Sequence, residues 1–334
     1  MLYSVYRKAT PWQFILVIVG MLALWLPGIS AAPATGCHDQ GSLICPWITA
    51  FNYWGNGIPA RILAMLLLLG SGFAFTLSLA SNHMIARQTY FPLLILPLFA
   101  SYSIQLQEFH SAIPALALLV ISLHFLLTAY DRADMTKEMF SSAMFISLAA
   151  FLHYAAILFI LLPFFSLLIY RNFDWRQWAA AMGGVLTPFI YLFSLAWFMH
   201  GDQYINEYLL SVTPRLTIQL PDSHWTVYFF WGIQALILLR ALASVIWHAQ
   251  ERVISFRKRN LIMLWFLLLS QGSLLLAGPG ILLHSIIIFV PISFYLTYFF
   301  FDRNIRRKWQ ADMLIYLLLL SLFLTIAQQS LAID

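Results

Sequence analysis

Charged residues are scarce in this chain. Only 9% of its 334 residues are Asp, Glu, Lys or Arg, whereas 62% are hydrophobic. A soluble domain ordinarily carries roughly 25% charged residues, because its surface must face water. The shortage excludes a soluble globular enzyme, a disordered chain, a coiled coil and a nucleic-acid-binding domain. The class that remains is an all-α, multi-pass membrane protein.

Familiar motifs of catalysis and transport are missing as well. The sequence contains no Walker loop, dinucleotide-binding glycine motif, HExxH zinc motif or nucleophile elbow. It also lacks a series of intramembrane acids, an arginine ladder and an evident internal repeat. These absences argue against a proton pump, a voltage sensor and the common transporter folds.

Long apolar runs are what the chain has instead. A helix crosses a hydrocarbon core of ~30 Å with about 20 apolar residues. The runs predict one integral membrane domain over residues 1–334, with eleven segments. The predicted segments are 12–30, 61–81, 90–107, 111–130, 139–152, 154–170, 178–199, 225–248, 260–277, 281–301 and 311–329.

The stretch 139–170 is either one long tilted helix or two short ones. Lys137 precedes it and Arg171 follows it. If both basic flanks lie in the cytoplasm, the chain must enter the membrane and return. We therefore predict a helical hairpin with His153 and Tyr154 at its tip.

The distribution of basic residues predicts the orientation. With the N-terminus in the cytoplasm, 15 of the 18 Lys and Arg residues are cytoplasmic. Arg61 and Arg215 are then external, and Arg240 lies within a segment. The two largest loops, 31–60 and 200–224, are also external, and the C-terminus is periplasmic. The positive charge therefore faces anionic lipid headgroups, and no loop is long enough to bind nucleic acid.

The first segment has a second interpretation. Arg7 and Lys8 precede an apolar run that ends in the small residues of 30–34, a pattern typical of a secretory signal. We interpret it as a retained first membrane helix.

The chain has only two cysteines, Cys37 and Cys45, and both fall in the first external loop. In an oxidising compartment this pair predicts a disulfide that closes a small ring. The alternatives are two free thiols, or a metal site with His38 and Asp39, although that spacing is not a recognised ligand pattern.

An aromatic stripe follows the second cysteine. Trp47, Phe51 and Trp54 recur at helical spacing. This pattern predicts an amphipathic helix that lies at the membrane interface, with its indoles at headgroup depth. The alternative is a loop with ordinary interfacial aromatic residues.

Several polar residues are candidates for chemistry at the external face, although each is also an ordinary solvated loop residue. They are Asp39, Arg61, Glu108, His110, His153, Asp202, Glu207, Arg215 and His224. Within the segments, Arg240 either extends to the cytoplasmic boundary or lines a cavity and binds an anion such as phosphate. His124 and His284 are interpreted as hydrogen-bonded packing residues.

A resemblance to a family of proteins spans most of the chain. The residues that carry the likeness are Phe151-Leu152-His153-Tyr154-Ala155-Ala156-Ile157-Leu158, Leu162-Pro163, Arg171-Asn172-Phe173-Asp174-Trp175-Arg176-Gln177-Trp178, Gly183-Gly184 and Thr187-Pro188. They resemble an uncharacterised family of polytopic bacterial inner-membrane proteins, known mainly from the Bacteroidetes. The resemblance implies a multi-pass location in the bacterial inner membrane and no particular reaction.

The architecture also resembles the C-type glycosyltransferases, which have a similar topology and an interfacial helix in the first external loop. This likeness implies a polyprenyl-phosphate-linked sugar as substrate and a divalent metal ion as a possible cofactor. It gives Asp39 and Glu108 catalytic roles and assigns phosphate binding to Arg61 or Arg215. The sequence departs from the pattern in having no paired acidic motif after the first segment.

Three functions remain open. The first is an enzyme or binder of lipid-linked glycan at the periplasmic leaflet, with Arg61, His110, His153, Arg215 and Arg240 as substrate-binding candidates. The second is a non-catalytic membrane subunit or scaffold with protein partners in the membrane, and the third is a small-molecule transporter. Convergence of Asp39, Glu108 and an arginine in one place would favour the first.

Overall fold

A computed structural model describes most of the chain, and every regular element in the described ranges is a helix. The described residues are 11–30, 45–85, 89–171, 173–198, 225–247, 252–276, 281–301 and 308–331. The α-helices are α1 (Pro11–Ser30), α2 (Cys45–Tyr53), α3 (Ile58–Ser81), α4 (Phe91–Ala100), α5 (Ala112–Ala129), α6 (Thr136–Leu152), α7 (Leu161–Tyr170), α8 (Trp175–Phe198), α9 (Trp225–Trp247), α10 (Ile254–Leu276), α11 (Ile281–His284), α12 (Phe289–Phe301) and α13 (Lys308–Leu331). Short 3₁₀ helices span Trp54–Gly57, Ile104–Gln107, Tyr154–Ile160 and Ser285–Ile288.

The all-α prediction is confirmed for these ranges, because each predicted membrane segment coincides with helical structure. Within the described ranges, three helices, α3, α5 and α9, are long and apolar enough to cross a membrane. Several others are shorter apolar helices. The number of eleven crossings and the orientation of the termini stay predictions.

The segment predicted over 90–107 is not one continuous helix. Helix α4 ends at Ala100, and a 3₁₀ turn over Ile104–Gln107 follows after a break. Pro97 lies inside α4 and has no N–H to donate to the preceding turn. Ser101 ends the helix and donates its hydroxyl to the Pro97 carbonyl at 2.8 Å. Hydropathy alone does not reveal this break.

The stretch 139–170 forms the predicted hairpin. Helix α6 ends at Leu152, and His153 is extended, with φ −139° and ψ 105°. Arg132 pairs with Glu138 at the start of α6, and the Tyr170 hydroxyl donates to the Leu126 carbonyl at 2.8 Å. Residue 170 therefore returns to the end of the bundle from which α6 departs.

Two helices occupy the centre of the bundle. Every side chain of α4 and α12 is buried. They pack on each other through aromatic contacts, with the Phe91 ring centroid 5.5 Å from that of Phe300 and 5.2 Å from that of Phe301. The outer helices expose apolar side chains such as Ile190 and Leu236. Exposed apolar faces of this extent are compatible with a membrane location.

Arg259 ties together one end of the bundle, which we call the basic end. Its side chain is 3% exposed and forms an ion pair with Asp131. It also donates to the carbonyls of Leu127 and Asn82, each at 2.9 Å. These carbonyls belong to the last turn of α5 and to the residue after α3, so one guanidinium joins the start of α10 to two helix C-termini.

Candidate functional site at the histidine end

The opposite end of the bundle, which we call the histidine end, begins with an ion pair. Gly57, at φ 77°, precedes α3 and places Arg61 in the first turn of that helix. Arg61 is 3% exposed, and its Nη2 donates to Glu108 Oε1 at 3.3 Å. Glu108, which is 17% exposed, lies in extended backbone after the 3₁₀ turn. A buried guanidinium is stable here because a carboxylate balances its charge.

Helix α2 covers the segment that carries Glu108. The Asn52 side-chain amide donates to the Phe109 carbonyl at 3.0 Å. The Phe51 ring lies edge-on to the Phe109 ring, with centroids 5.7 Å apart. The α2 helix, which was predicted from the aromatic stripe, is thus present and packs over the turn between α4 and α5. Its depth in a membrane stays a prediction.

His110 helps to hold the same turn. Its Nδ1 lies 2.8 Å from the Glu108 carbonyl oxygen. A carbonyl can only accept, so this nitrogen carries the hydrogen. The ring is 6% exposed and therefore lies beneath the surface beside the Arg61–Glu108 pair.

A row of four buried polar side chains continues from this turn into the bundle. Ser111 Oγ is 3.0 Å from His153 Nδ1, and His153 Nε2 is 2.7 Å from His284 Nδ1. The two imidazole rings are nearly parallel, with centroids 4.9 Å apart, and Ser273 Oγ bonds to His284 Nε2. None of the four is more than 1% exposed. We call this set the Ser–His–His–Ser row.

The hydrogen bonds of the row run in one direction. Ser273 uses its hydroxyl hydrogen on the Ser270 carbonyl at 2.9 Å, so it accepts from His284 Nε2–H. His284 Nδ1 is then the acceptor for His153 Nε2–H, and His153 Nδ1 is the acceptor for the Ser111 hydroxyl. The reverse direction would give up the bond from Ser273 to Ser270. Both imidazoles are therefore assigned as neutral Nε2–H tautomers.

Aromatic residues surround the row. The Tyr102 hydroxyl lies 3.2 Å from Ser285 Oγ, next to His284 in the chain. The Tyr102 ring stacks on Phe230 of α9, with centroids 5.2 Å apart. The Tyr154 ring centroid is 5.9 Å from that of His153. The polar row is thus enclosed by apolar surface, which strengthens its hydrogen bonds.

Some predicted site residues converge and others do not. Glu108 meets Arg61, and His110 and Ser111 connect this pair along the chain to His153. Arg240 is exposed on α9, between apolar neighbours, and takes no part in the interactions of this end. The other predicted site residues in the two external loops lie outside the described residues, and they are Cys37, Asp39, Asp202, Glu207, Arg215 and His224. Cys45 is the first residue of α2. The disulfide and the role of Asp39 stay predictions, because Cys37 and Asp39 lie outside the described residues.

The sequence interpretation missed the partnership of His284. The prediction of a hydrogen-bonded packing residue agrees with its burial and hydrogen bonds, but its partner His153, 131 positions away in the chain, was not predicted. Ser111 and Ser273 were not singled out. A signal was available, because the predicted topology places residues 111, 153, 273 and 284 at the same ends of their segments.

The comparisons with known proteins add no relative. No protein-family model, curated protein or solved structure matches the chain. Within the described ranges, no group of three or more His, Cys, Asp and Glu side chains is arranged to hold a metal ion. Function must therefore be inferred from the geometry of the histidine end.

Proposed function

We propose that the protein is a multi-pass membrane protein of the bacterial inner membrane that handles a phosphate-bearing, lipid-linked sugar at its histidine end. The observation that carries this proposal is the pairing of buried Arg61 with partly exposed Glu108 at 3.3 Å. Transfer of a sugar from a lipid phosphate needs a cation near the phosphate and a carboxylate near the acceptor hydroxyl. The pair supplies both types of group in one place.

The chemistry of each partner suits its proposed role. A guanidinium is planar and forms paired hydrogen bonds with phosphate oxygens, and it stays charged at any physiological pH. An ionised carboxylate only accepts hydrogen bonds, so Glu108 can take the proton of an acceptor hydroxyl. The partial exposure of Glu108 leaves this group within reach of a substrate that arrives at the bundle end.

The charges of the two ends support the membrane orientation of this proposal. Arg259, Lys258 and Arg132 lie at the basic end, which the positive-inside rule assigns to the cytoplasm. The histidine end then faces the periplasm, where lipid-linked sugars would be handled. The eleven segments and the external loops 31–60 and 200–224 belong to this proposal. Asp39 and Arg215, and a divalent metal ion, remain further candidates for the same site.

A binding experiment tests the proposal. The purified protein in lipid nanodiscs should bind a polyprenyl phosphate more tightly than the matching polyprenol without phosphate. Arg61→Gln should weaken phosphate-lipid binding about ten-fold or more, because a hydrogen bond to a charged group contributes roughly 1.5–3 kcal/mol. Glu108→Gln should retain binding, because the proposal assigns the carboxylate to proton transfer and not to the phosphate.

Arg132→Gln is the matched control. Arg132 also pairs with a glutamate, Glu138, at 3.5 Å, but it is 65% exposed and lies at the basic end. Its replacement should leave binding unchanged. If the wild-type protein binds the phosphate lipid and the polyprenol equally, the phosphate site is wrong and the scaffold hypothesis takes its place.

A further inference from the structure

The Ser–His–His–Ser row has a beginning and an end. It ends at the Ser270 carbonyl, which is already part of a helix and can pass no proton onward. It begins at Ser111, whose hydroxyl hydrogen points to the free electron pair of His153 Nδ1 at 3.0 Å. Each later member of the row accepts a hydrogen bond from the one before it. The row therefore polarises one group above all, the Ser111 hydroxyl.

This arrangement is that of an activated nucleophile. A serine becomes nucleophilic when a base accepts its hydrogen and a third group orients that base. Here His153 is the base, and His284 accepts its Nε2–H at 2.7 Å and fixes its tautomer. The three residues come from distant parts of the chain and converge where α5 begins, α6 ends and α11 ends.

We infer that Ser111 is a catalytic nucleophile that takes an acyl group from the ester of a membrane lipid. Ser111 directly precedes α5, whose 18 residues form a helix about 27 Å long. In a bilayer with a hydrocarbon core of ~30 Å, the start of such a helix lies where acyl chains meet the headgroups. Ester carbonyls lie at that depth, and the apolar surroundings of the row suit an acyl chain.

The proposed acyl transfer has two steps. His153 Nδ1 takes the Ser111 proton as Oγ attacks the ester carbonyl, and the lipid alcohol leaves with that proton as the acyl-serine forms. A hydroxyl group of a second substrate then gives its proton to His153 and attacks the acyl-serine, which restores the Ser111 hydroxyl. The first turn of α5 adds its positive dipole end beside the oxyanion of both steps.

Access to Ser111 depends on α2. Ser111 is fully buried. The Asn52 amide of α2 donates to the carbonyl of Phe109, two residues before Ser111, and the Phe51 ring of the same helix contacts the Phe109 ring. Displacement of α2 would open the turn without disturbing the central helices. Asn52→Ala, which removes the hydrogen bond, should therefore make Ser111 react faster.

The chain contains its own control for the nucleophile. Ser78 Oγ lies 3.1 Å from His124 Nδ1, so it has almost the same serine–histidine contact as Ser111. His124 is half-buried on α5, and the bond to Ser78 is the hydrogen bond that the structure shows for its ring. If a serine–histidine contact alone were sufficient, Ser78 would react as well as Ser111.

A covalent probe tests the inference. The wild-type protein in nanodiscs is treated with an alkyl fluorophosphonate, which modifies activated serines, and the modified peptide is identified by mass spectrometry. Label is expected on Ser111 and not on Ser78. Ser111→Ala should lose the label, and His153→Gln should slow labelling about 10²-fold, as expected for loss of a general base.

His284 is a positioning residue, and its variants separate positioning from folding. His284→Gln can still accept from His153 and donate to Ser273, so it should label at a rate close to that of wild type. His284→Leu can do neither and should label slowly. Ser78→Ala and His124→Gln should leave the rate on Ser111 unchanged, and each variant is compared only when it elutes as the wild-type particle does.

Two results would overturn the inference. One is a Ser111 that stays unmodified in the wild-type protein and also in the Asn52→Ala variant. The other is labelling of Ser111 at the same rate with and without His153. Neither result depends on phosphate-lipid binding by Arg61, so this inference and the proposed function can fail separately.

Discussion

The two ends of the bundle join helices by opposite electrostatic means. At the basic end, the charged Arg259 binds two backbone carbonyls and pairs with Asp131, which is 61% exposed. At the histidine end, below the Arg61–Glu108 pair, the neutral Ser–His–His–Ser row joins four helix ends, and none of its members is more than 1% exposed.

The difference shows where in the bundle a charged side chain has a small free-energy cost. The Arg259 guanidinium is itself buried, but helix C-termini attract it and its partner Asp131 stays 61% exposed to solvent. Inside apolar surroundings an extra charge is expensive, so hydrogen bonds between neutral groups are preferred. The charged contacts of Arg259 therefore fix the arrangement of the helices at the basic end, while the Ser–His–His–Ser row holds neutral groups whose protons can move.

The largest loss of stability is expected when the contacts of Arg259 at the basic end are removed. Arg259→Gln removes hydrogen bonds to Leu127, Asn82 and Asp131. We expect the free energy of unfolding to fall by about 3 kcal/mol, because each of three hydrogen bonds contributes roughly 1 kcal/mol. Denaturant titration in mixed micelles measures the change. A loss below that of the exposed control Arg132→Gln would show that Arg259 does not join the helices.

Loss of the His284 hydrogen bonds at the histidine end should lower the free energy of unfolding by a smaller amount. His284→Leu removes the bonds to His153 and Ser273, and we expect a loss of about 2 kcal/mol. The same titration applies. Residues 259 and 273 are about 21 Å apart along α10, so the double variant Arg259→Gln/His284→Leu should show additive losses. Strong non-additivity would mean that the two ends do not act independently.

The smallest expected change in stability concerns Asp134, an exposed carboxylate before α6. A hydrogen bond from the Thr136 hydroxyl, and then one from its backbone N–H at 2.9 Å, lower the pKa of Asp134 below its ordinary value of 3.8. A lowered pKa in the folded state stabilises the protein above the ordinary value, and this contribution is lost as the pH falls through the lowered pKa. Asp134→Asn should therefore flatten the acid limb of the stability profile. An unchanged limb would contradict this assignment.

The sequence predicted the helices better than their lateral contacts. Apolar runs identify segments because a helix in lipid must satisfy its own backbone. They do not identify which helices pack against each other, because apolar residues look alike on every face of a membrane segment. The start of α10 at Ile254, rather than at 260, shows the same limit, since Arg257, Lys258 and Arg259 continue the helix beyond its apolar part.

The candidate site was predictable in part. Glu108, Arg61, His110 and His153 were candidates because polar residues at segment ends are few, and the contacts bring them together. The contact of His284 with His153 was not predicted, because the pairing of two histidines depends on which helices are adjacent. A sequence gives the depth of each residue in a membrane, but not the direction in which its side chain points.

The central position of α4 has a consequence for the biosynthesis of the protein. At 10 residues, α4 is too short to cross a bilayer alone, which takes about 20. Its packing partner α12 is synthesised nearly two hundred residues later, and all of α4 is buried in the finished bundle. Helix α4 is therefore synthesised long before α12, the other central helix, against which it packs. A chain truncated before α12 would leave the α4 surface at Phe91 without its contacts to Phe300 and Phe301, and we expect it to be degraded by membrane proteases.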